Sequence, residues 1–596
     1  MDRQEIRALY ERRQTERVAE RDRFKQRGVW LAVARLVSFA LSLWFAWLVW
    51  EMSVLHWGWV LVPVTAFFAF MTWHAQVRSD ISRRERSRDF YARGLDRLDG
   101  TWRGRGNQGS SFVDPKHPYS SDLDIFGSGS LFELLATTRS PWGTKRLADW
   151  LSGSATPDEV RGRQEAIAEL APMVDLRDAL ASEHEGLTEA VDARQLSAWA
   201  GAPITLDQMA PRWVAAGLGL LALVTATGWA LSWWDRLPFL VVVVSSASFA
   251  FLFRDRVARV LSGVEEPARQ LGVLSAFVAR IERERFASER LGALSRTLAS
   301  DGEPASARIR RLRRLVDTLD ARRNQMFAPI AFLVLWGTHF AFALEAWRKS
   351  SGDDVPRWLD AVGEIDALLA LATYAFEHPE DPFPTIREDG VLFEADGLGH
   401  PLIAESDLVR NSVRFGTEPS LLVVSGSNMS GKSTFLRAIG INTVLAFAGA
   451  PVRARGLELS PFVVAASIRI VDSLQDGISH FYAEILRLRQ VLELASGDAP
   501  VLFLLDEILH GTNSHDRAIG AEAVVKGLVD KGAVGLITTH DLALAKMADT
   551  MHDVAVNVHF EDQIVDGKIE FDYTMRDGVV TKSNALDLMR SVGLEV

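Results

Sequence analysis

The sequence contains no cysteine among its 596 residues. Disulfide bonds, thiolate metal sites and cysteine nucleophiles are therefore excluded. Basic residues are also in the minority, with 66 Lys and Arg against 77 Asp and Glu and a formal net charge of −11. Because neutralisation of phosphates supplies most of the affinity of nucleic-acid binders, this balance argues mildly against a DNA-binding surface, although a local basic face stays compatible with it.

Long apolar runs are present near the start of the chain, at Trp30–Trp50 and Val54–Trp73. Each reaches the roughly 20 residues that a helix needs to cross the hydrocarbon core of a bilayer. Arginines are frequent before the first run and after the second, whereas the connection Glu51–Ser53 has none. By the positive-inside rule, we predict a transmembrane hairpin at 29–75 with both flanks in the cytoplasm. The alternative is a hairpin buried in a protein core.

A second pair of apolar runs, Trp213–Trp234 and Leu237–Phe253, predicts another transmembrane hairpin at 213–253. Its last helix is short for a span. A further apolar stretch lies at Phe327–Trp347. A fifth crossing would place the two halves of one soluble module on opposite sides of the membrane, so we interpret this stretch as a buried helix.

The remaining sequence divides by its pattern. We interpret segment 1–28 as a basic cytoplasmic flank of the membrane anchor, with a DNA-binding arm as the alternative. Segment 76–121 is interpreted as a juxtamembrane helix followed by a linker rich in Gly, Ser and Pro. We expect a helical domain at 122–385, in which the charged segment Glu265–Arg323 forms long, partly exposed, lever-like helices. From 386 to 596, short β-branched runs alternate with helical patterns, which predicts an α/β domain with a parallel sheet.

The apolar run Leu421–Val424 leads into the pattern Gly-x4-Gly-Lys-Ser, which predicts a phosphate-binding loop (P-loop). The glycines allow backbone N–H groups to turn toward phosphate oxygens, and the dipole of the following helix adds to the attraction. Lys432 is predicted to reach the β- and γ-phosphates and the Ser433 hydroxyl to bind Mg²⁺. The candidate binding residues are Gly426, Ser427, Asn428, Met429, Ser430, Gly431, Lys432, Ser433 and Thr434.

A second apolar strand pattern, Val501–Leu505, ends in Asp506 and Glu507. We predict that Asp506 contributes to the Mg²⁺ site and that Glu507 orients or deprotonates the attacking water. A third strand pattern ends in His540, which we expect to contact the γ-phosphate; a structural histidine is the alternative. The three motifs predict an ATPase with ATP and Mg²⁺ as cofactors and with Lys432, Glu507 and His540 in catalytic roles.

The details around these motifs resemble the MutS mismatch-repair family. Ser427–Thr434 is similar to the family's loop, which has Asn-Met before the glycine and lysine, and Leu505–Ser514 is similar to its Asp-Glu-x-x-x-Gly-Thr segment. Asp476–Glu484 resembles the signature stretch of the family. The resemblance implies that Ser479 contacts the nucleotide of the partner subunit in a homodimer. It also implies that Tyr573 stacks on adenine, with a packed strand tyrosine as the alternative.

The resemblance extends loosely upstream. The start of the MutS helical core is similar to Asp122–Leu135, Gly143–Trp150 and Arg163–Ile167, and its end is similar to Glu364–Leu368 and Gly399–Pro401. The family's mismatch-reading domain, with its Phe-x-Glu wedge, has no counterpart, and Glu265–Arg323 leaves no room for a full DNA-gripping clamp. The implied fold is mixed. It combines transmembrane helical hairpins, an all-α MutS-like core and lever domain, and a C-terminal α/β P-loop ATPase domain of the ABC type.

These features predict a MutS-like ATPase anchored in the cytoplasmic (inner) membrane, with its ATPase domain in the cytoplasm. ATP binding and hydrolysis would drive a conformational switch of the dimer. Binding of mismatched or structured DNA, and a role like that in mismatch repair, are implied by the family alone. The alternative is a membrane-localised, ATP-switched scaffold or regulator that does not bind DNA. ATP-coupled transport has less support, because Leu-Ser-Gly-Gly-Gln does not precede the strand that ends in Asp506.

Overall fold

The protein forms two compact units that each contain more than one segment of the chain. The computed structural model describes residues 1–52, 56–183, 193–207, 209–299, 302–320, 328–427, 429–469, 480–510, 513–545, 547–551, 553–565 and 568–580. The first unit comprises Met1–Thr137, Arg146–Asp178 and Leu368–Val596, and the second comprises Thr138–Lys145 and Ala179–Ala367. The helical domain expected at 122–385 is thus divided between the two units.

Two long helices begin the first unit, α1 (Arg3–Trp50) and α2 (Leu61–Leu98). A capping box starts α1, since Asp2 accepts the Glu5 N–H at 2.8 Å and Glu5 accepts the Asp2 N–H at 2.9 Å. The basic segment 1–28 and the first apolar run therefore share one continuous helix. Only 11% of the most apolar window of each helix is buried in the protein, and both are long and apolar enough to cross a membrane.

Five short or medium helices connect these to the rest of the chain, some of them crossing a boundary between the units. They are α3 (Leu131–Leu135), α4 (Pro141–Leu151), α5 (Pro157–Leu170), α6 (Val174–Glu183) and α7 (Ala193–Ala200). Helix α5 begins with a capping box of Thr156 and Glu159 and has Pro157 in its first turn, where the missing N–H leaves no bond unmade.

The second unit contains the next two apolar helices, α8 (Met209–Ala230) and α9 (Leu237–Ser262). Ala210–Ala230 and Leu237–Ile281 are the further candidate spans by length and composition. Their most apolar windows are only 28% and 6% buried. The segments predicted as a second hairpin at 213–253 are therefore helical and largely uncovered by protein.

The remaining helices of the second unit pack around a buried core. They are α10 (Glu265–Ile281), α11 (Glu289–Leu298), α12 (Ala305–Leu319), α13 (Ala328–Leu333), α14 (Trp336–Ser351) and α15 (Val355–Glu377), the last of which continues into the first unit. The stretch interpreted as one buried helix is broken between α13 and α14 at Leu335, which has φ +51°. Helix α14 buries Phe342, Leu344 and Trp347, whereas α13 leaves Ile330 and Phe332 50% and 55% exposed, so the stretch is buried only in its second part. It is not a candidate span among the described residues.

The expectation of long lever helices in Glu265–Arg323 is wrong. Helices α10, α11 and α12 have 17, 10 and 15 residues. At about 1.5 Å per residue, the longest of them spans roughly 26 Å. Apolar spacing continues across the breaks because each short helix buries its own face, so periodicity alone does not reveal them. Gly302 (φ +76°) and Pro304, just before α12, are the local signals that mark one break.

A buried arginine ties α12 to the end of α14 in the second unit. Arg308 is 4% exposed and donates to Ser351 Oγ at 3.0 Å and to Asp354 Oδ2 at 2.8 Å. Its guanidinium carbon lies 5.0 Å from the centre of the Trp358 ring. Arg357, on the exposed surface, lies 3.4 Å from the other oxygen of Asp354, so removal of the Arg308 side chain leaves the buried Oδ2 without its close cation.

We therefore expect Arg308→Ala to destabilise the protein by about 3–5 kcal/mol. Thermal unfolding in detergent measures the change. The matched control is Arg310→Ala, an exposed arginine two residues further along α12, which should leave the transition within experimental error. Equal melting temperatures for the Arg308→Ala variant and the unmodified protein would contradict the assignment.

The C-terminal part of the first unit contains two sheets. Among the described strands, one sheet has the order β1-β5-β2-β3, formed by β1 (Thr385–Ile386), β2 (Leu392–Leu398), β3 (Asn411–Gly416) and β5 (Gly456–Leu459). The other has the order β10-β9-β4-β8-β7-β6, formed by β4 (Leu421–Gly426), β6 (Val463–Ser467), β7 (Val501–Asp506), β8 (Val534–Thr539), β9 (Ala555–Val565) and β10 (Lys568–Asp577).

The second of these sheets is parallel from β9 to β6, and only β10 pairs in the antiparallel sense. The helices that accompany it are α16 (Lys432–Ala448), α17 (His480–Leu494), α18 (Ser514–Val529), α19 (Leu542–Ala545) and α20 (Met547–Thr550). Strands β4 and β8 bury every residue, as expected for parallel strands that are covered on both faces. The prediction of a helical protein with a C-terminal α/β sheet is confirmed.

Candidate nucleotide-binding site

The three predicted motifs follow strands that lie side by side. Ser425 of β4 is in register with Thr539 of β8, and Asp506 of β7 is in register with Thr538 of β8. Because parallel strands end at the same edge of a sheet, the loop after β4, Glu507 and His540 meet at one edge. Ligand sites of open α/β sheets form at this carboxyl edge.

The loop after β4 depends on glycine at both of its ends. Gly426 has φ +154°, and a Cβ there would lie 2.8 Å from the carbonyl oxygen of Phe560. Gly431 has φ +103°, and its Cβ would lie 3.0 Å from Cδ1 of Tyr573. Gly431 is also the N-cap of α16, so the open end of the loop faces the N–H groups of a helix of 17 residues. This arrangement is suited to phosphate.

Lys432 is the buried cation of the site. It is 4% exposed, and its Nζ donates to the carbonyls of Gly426 at 2.9 Å and Ser427 at 2.7 Å. Nζ also lies 3.6 Å from Oε1 of Glu507. Burial lowers the pKa of Lys432, while the carboxylates of Glu507 and Asp506 act in the opposite direction. The side chain thus places a positive charge between the loop and the acidic pair.

Thr538 of β8 fixes the acidic pair. Its hydroxyl donates to Oδ1 of Asp506 and accepts the N–H of Glu507 at 3.0 Å. Glu507 has φ +46°, in the left-handed region that a non-glycine residue adopts at an energetic cost. The backbone therefore turns sharply after Asp506, and the two carboxylates point into the same cavity.

Two histidines hold the carboxylate of Glu507. Nδ1 of His540 lies 3.1 Å from its Oε1, and Nε2 of His510 lies 2.9 Å from its Oε2. Burial raises the pKa of Glu507, but the bond from His540, the charge of Lys432 and the bond from His510 together outweigh it and keep the pKa below its usual value. An ionised carboxylate aimed into the cavity is what a general base requires.

Tyr573 reaches the same cavity from β10. The pairing of β10 with β9 shifts register between Phe571 and Met575, and Tyr573 lies in this bulge with φ +52°. Asn411 holds the bulge, because its Nδ2 donates to the Tyr573 carbonyl at 3.0 Å and its Oδ1 accepts the Met575 N–H at 2.8 Å. Bulges redirect side chains in this way. The ring is 43% exposed, so it is available for stacking.

The cavity has a volume of about 800 Å³, within the range of small-molecule and cofactor sites. Its lining combines polar and apolar side chains. The polar ones include Lys432, Ser433, Thr434, Asp506 and Glu507, and the apolar and aromatic ones include Leu398, Ile403, Leu408, Val409, Phe560 and Tyr573. A molecule that combines several phosphates with a flat apolar ring fits this lining.

A buried aspartate links the start of the helical region to the strand next to the site. Asp122 is 1% exposed, and its Oδ1 accepts the N–H groups of Ile468 at 2.7 Å and Arg469 at 2.8 Å. Arg469 also pairs with Asp124. These bonds fix the chain where it leaves β6. No local pattern in the sequence predicts this contact of Asp122.

The structure places most of the predicted site residues at this edge. Gly431, Lys432, Ser433, Thr434, Met429, Asp506, Glu507 and Tyr573 line the cavity. Gly426, Ser427 and Ser430 form the loop beside it, and His540 contacts Glu507. Asn428 and Ser479 lie outside the described residues. His510, Thr538 and Asn411 were missed, although His510 lies three residues after Glu507 and Thr538 lies two residues before His540.

The buried side chain of His400 makes the folding stability of the protein depend on pH. The side chain lines the cavity and is 8% exposed, and its Nδ1 accepts the N–H of Leu402 at 3.2 Å. Burial, assisted by the positive charges of Arg437 and Arg103, lowers the pKa of His400 to about 4. Since the unfolded chain takes up a proton near pH 6.5 and the folded chain does not, stability present above pH 6.5 is lost as the pH falls.

We expect acidification from pH 7 to pH 5 to reduce stability by about 2 kcal/mol through this group alone. His400→Asn keeps an acceptor for the Leu402 N–H and removes the titration, so its stability should fall less over the same interval. Thermal melts of both proteins at the two pH values measure the difference. Parallel losses in the two proteins would contradict this role of His400.

Known proteins with similar sequences match the segment that contains this site. A family model described as MutS domain V matches residues 422–595. DNA mismatch repair protein MutS 2 of Halobacterium salinarum is 33% identical over 238 residues, which are 39% of this chain and 27% of that protein. DNA mismatch repair protein MutS of Aquifex pyrophilus is 32% identical over the same shares. Endonuclease MutS2 of Thermus thermophilus is 34% identical over 194 residues, 32% of this chain and 25% of that protein.

The chain therefore spans about a quarter of the length of the curated relatives that it matches. The residues matched by the family model include the loop after β4, the acidic pair and the strands that carry them.

Proposed function

We propose an ATPase function for this chain, which belongs to the MutS family through its C-terminal domain. The observation that carries the proposal is the convergence of Lys432, Ser433, Asp506 and Glu507 on one cavity at the carboxyl edge of a parallel sheet. The glycine-bounded loop, the lysine and the acidic pair are the parts that P-loop enzymes use to bind a nucleoside triphosphate.

The residues present fit ATP and Mg²⁺. The Ser433 hydroxyl and the Asp506 carboxylate offer the hard oxygen ligands that Mg²⁺ prefers. When bound, the ion neutralises charge on the phosphates. Lys432 supplies a further positive charge to them, and the ring of Tyr573 offers a face for the adenine.

Glu507 is the residue that we assign to proton transfer. Its carboxylate accepts a proton from the attacking water, and His540 and His510 hold it in position through their hydrogen bonds. We also propose that His540 contacts the γ-phosphate, and the family resemblance adds that Ser479 completes the site of a second subunit. We therefore propose a homodimer that ATP tightens and hydrolysis relaxes.

We further propose that the protein is anchored in the inner membrane by α1, α2, α8 and α9, with the ATPase domain in the cytoplasm. Support comes from the apolar windows of these helices, of which 6% to 28% is buried. Large uncovered apolar surfaces of this kind are rare in soluble proteins. The arginine-rich flanks set the orientation.

The absence of native cysteine makes this topology directly testable. Met52→Cys, after α1, and Asp235→Cys, between α8 and α9, should react with a membrane-impermeant maleimide in intact spheroplasts. Asp498→Cys, between α17 and β7, should react only after lysis. Labelling of all three positions, or of none, before lysis would contradict the proposed orientation.

The first candidate for the further role of the protein is DNA binding, which one structural feature supports. Helix α12 exposes Arg310, Arg311, Arg313 and Arg314, which form a basic face in a chain of net charge −11. Such a face is suited to a phosphate backbone. The net negative charge favours the second candidate, an ATP-switched membrane scaffold that does not bind DNA.

Binding of the detergent-purified protein to duplex, mismatched and branched DNA, with and without ATP, separates the two candidates. DNA binding that falls with salt and weakens in an Arg310→Glu/Arg314→Glu variant would support the first. An equally weak response to all DNA forms, with ATP hydrolysis retained, would support the scaffold.

A further inference from the structure

Three side chains at the edge of the site bring together nitrogen and oxygen donors of the kind that binds transition metals. Glu507, His510 and His540 each offer a ligand atom, and these atoms all lie within 4.8 Å of one another. The two imidazoles approach different oxygens of one carboxylate, at 2.9 and 3.1 Å. Their rings are stacked, with centroids 5.2 Å apart and planes at 20°.

The backbone fixes the positions of these donors. Glu507 and His510 belong to one sharp turn after β7, in which Glu507 has φ +46° and Leu509 has φ +61°. The turn is held by Thr538, which accepts the Glu507 N–H, and by the buried carboxylate of Glu484, which accepts the Leu509 N–H. His540 follows the adjacent strand β8. The three donors are therefore presented by neighbouring strand ends and do not depend on a long loop.

Two of the three separations in the cluster are close to those of a tetrahedral zinc site, and the third, between the two imidazole nitrogens, is at most 4.8 Å. With bonds of about 2.0–2.1 Å, two donors of one tetrahedral ion lie roughly 3.3 Å apart. The measured distances between carboxylate and imidazole, 2.9 and 3.1 Å, need only small side-chain movements to reach this value. Three protein ligands would leave a fourth position for water.

Solvent can reach the cluster, and its chemistry differs from that of the proposed Mg²⁺ site. The side chains of Glu507, His510 and His540 are 25%, 38% and 41% exposed. Imidazole nitrogen favours Zn²⁺, Cu²⁺, Ni²⁺ and Co²⁺, whereas Mg²⁺ prefers oxygen ligands such as those of Ser433 and Asp506. A transition metal and Mg²⁺ are thus expected at different donor sets.

We propose that Glu507, His510 and His540 bind one divalent transition-metal ion of the zinc class. The bound ion occupies the carboxylate that we assign to proton transfer, so it inhibits ATP hydrolysis. The inhibition rests on the proposed ATPase function, whereas the binding of the metal does not. Hydrogen bonding alone is the competing explanation of the cluster, and it predicts no specific metal affinity.

Titration with Co²⁺ tests the binding without any measurement of activity. The protein is purified in detergent without a polyhistidine tag, freed of metal and nucleotide, and titrated in the absence of Mg²⁺. We expect one tightly bound Co²⁺ per chain with the visible absorption of a tetrahedral site, displaced by one equivalent of Zn²⁺. His510→Gln and His540→Gln should weaken this binding at least tenfold.

Two variants control for other sites. His515→Gln changes an exposed histidine of α18 that lies outside the cluster, and Asp506→Asn changes the proposed Mg²⁺ ligand; both should keep the Co²⁺ absorption. Thermal melts confirm that each variant is folded. Absence of the band from the unmodified protein, or equal bands in all variants, would overturn the proposed site.

ATP hydrolysis in excess Mg²⁺ with increasing Zn²⁺ then tests the consequence. Half-inhibition should need at least ten times more Zn²⁺ for His510→Gln than for the unmodified protein, each normalised to its own metal-free rate. Co²⁺ binding without inhibition by Zn²⁺ would overturn the regulatory part alone. A protein that binds Co²⁺ but hydrolyses no ATP would count against the proposed ATPase and leave the metal site supported.

Discussion

Glu507→Gln should lower the turnover of ATP at least 100-fold and leave the affinity for ATP nearly unchanged. A positioned general base contributes about 10²- to 10⁴-fold to a rate, and glutamine cannot accept the proton. The amide has the size of the carboxylate and keeps an oxygen that accepts a bond from His510 or His540. The loss is therefore expected in the chemical step and not in folding or binding.

Steady-state hydrolysis and equilibrium binding of a fluorescent ATP analogue measure the two quantities separately. Because hydrolysis is blocked, the variant should also accumulate as an ATP-bound dimer in multi-angle light scattering. Glu493→Gln, an exposed glutamate on α17 that pairs with Arg489 at 2.7 Å, is the matched control and should turn over normally. A Glu507→Gln variant with normal turnover would remove Glu507 from the mechanism.

Lys432→Met should weaken ATP binding by about 10- to 100-fold. Hydrogen bonds to charged groups contribute about 1.5–3 kcal/mol each, and the buried ammonium is placed between the loop and the acidic pair. Methionine keeps most of the volume of the lysine side chain and removes its charge. The change should therefore act on phosphate binding rather than on the packing of α16.

Isothermal titration with ATP and with adenosine distinguishes these effects. The variant should lose affinity for ATP, whereas any affinity for adenosine, which carries no phosphate, should be retained. Lys526→Met, on the exposed surface of α18, is the control. Unchanged affinity for ATP in Lys432→Met would mean that the loop after β4 does not bind phosphate.

The sequence predicted those parts of the site in which the functional residues lie close together along the chain. The phosphate loop, the acidic pair and His540 each follow an apolar strand pattern, and parallel strands bring their ends together. The partners that position these groups could not be predicted in the same way. Thr538 lies 32 residues from Asp506, and Asn411 lies 164 residues from Met575. Such contacts depend on strand order, which local patterns do not specify.

The fold was predictable to a similar extent. Apolar runs of about 20 residues indicated the helices α1, α2, α8 and α9, because length and composition alone are informative for such segments. The expected length of the helices within Glu265–Arg323 was wrong, since short amphipathic helices produce nearly the same pattern as long ones. The direction of Tyr573 was also beyond the sequence, because it depends on a bulge between β9 and β10.

The measurement that tests the account most directly is the binding and hydrolysis of ATP by the purified, unmodified protein. We predict saturable binding of about one ATP per chain and hydrolysis that stops when Mg²⁺ is chelated. Lys432→Met should weaken both, whereas Glu507→Gln should lose hydrolysis alone. A folded protein that neither retains nor cleaves adenine nucleotides would contradict the central claim.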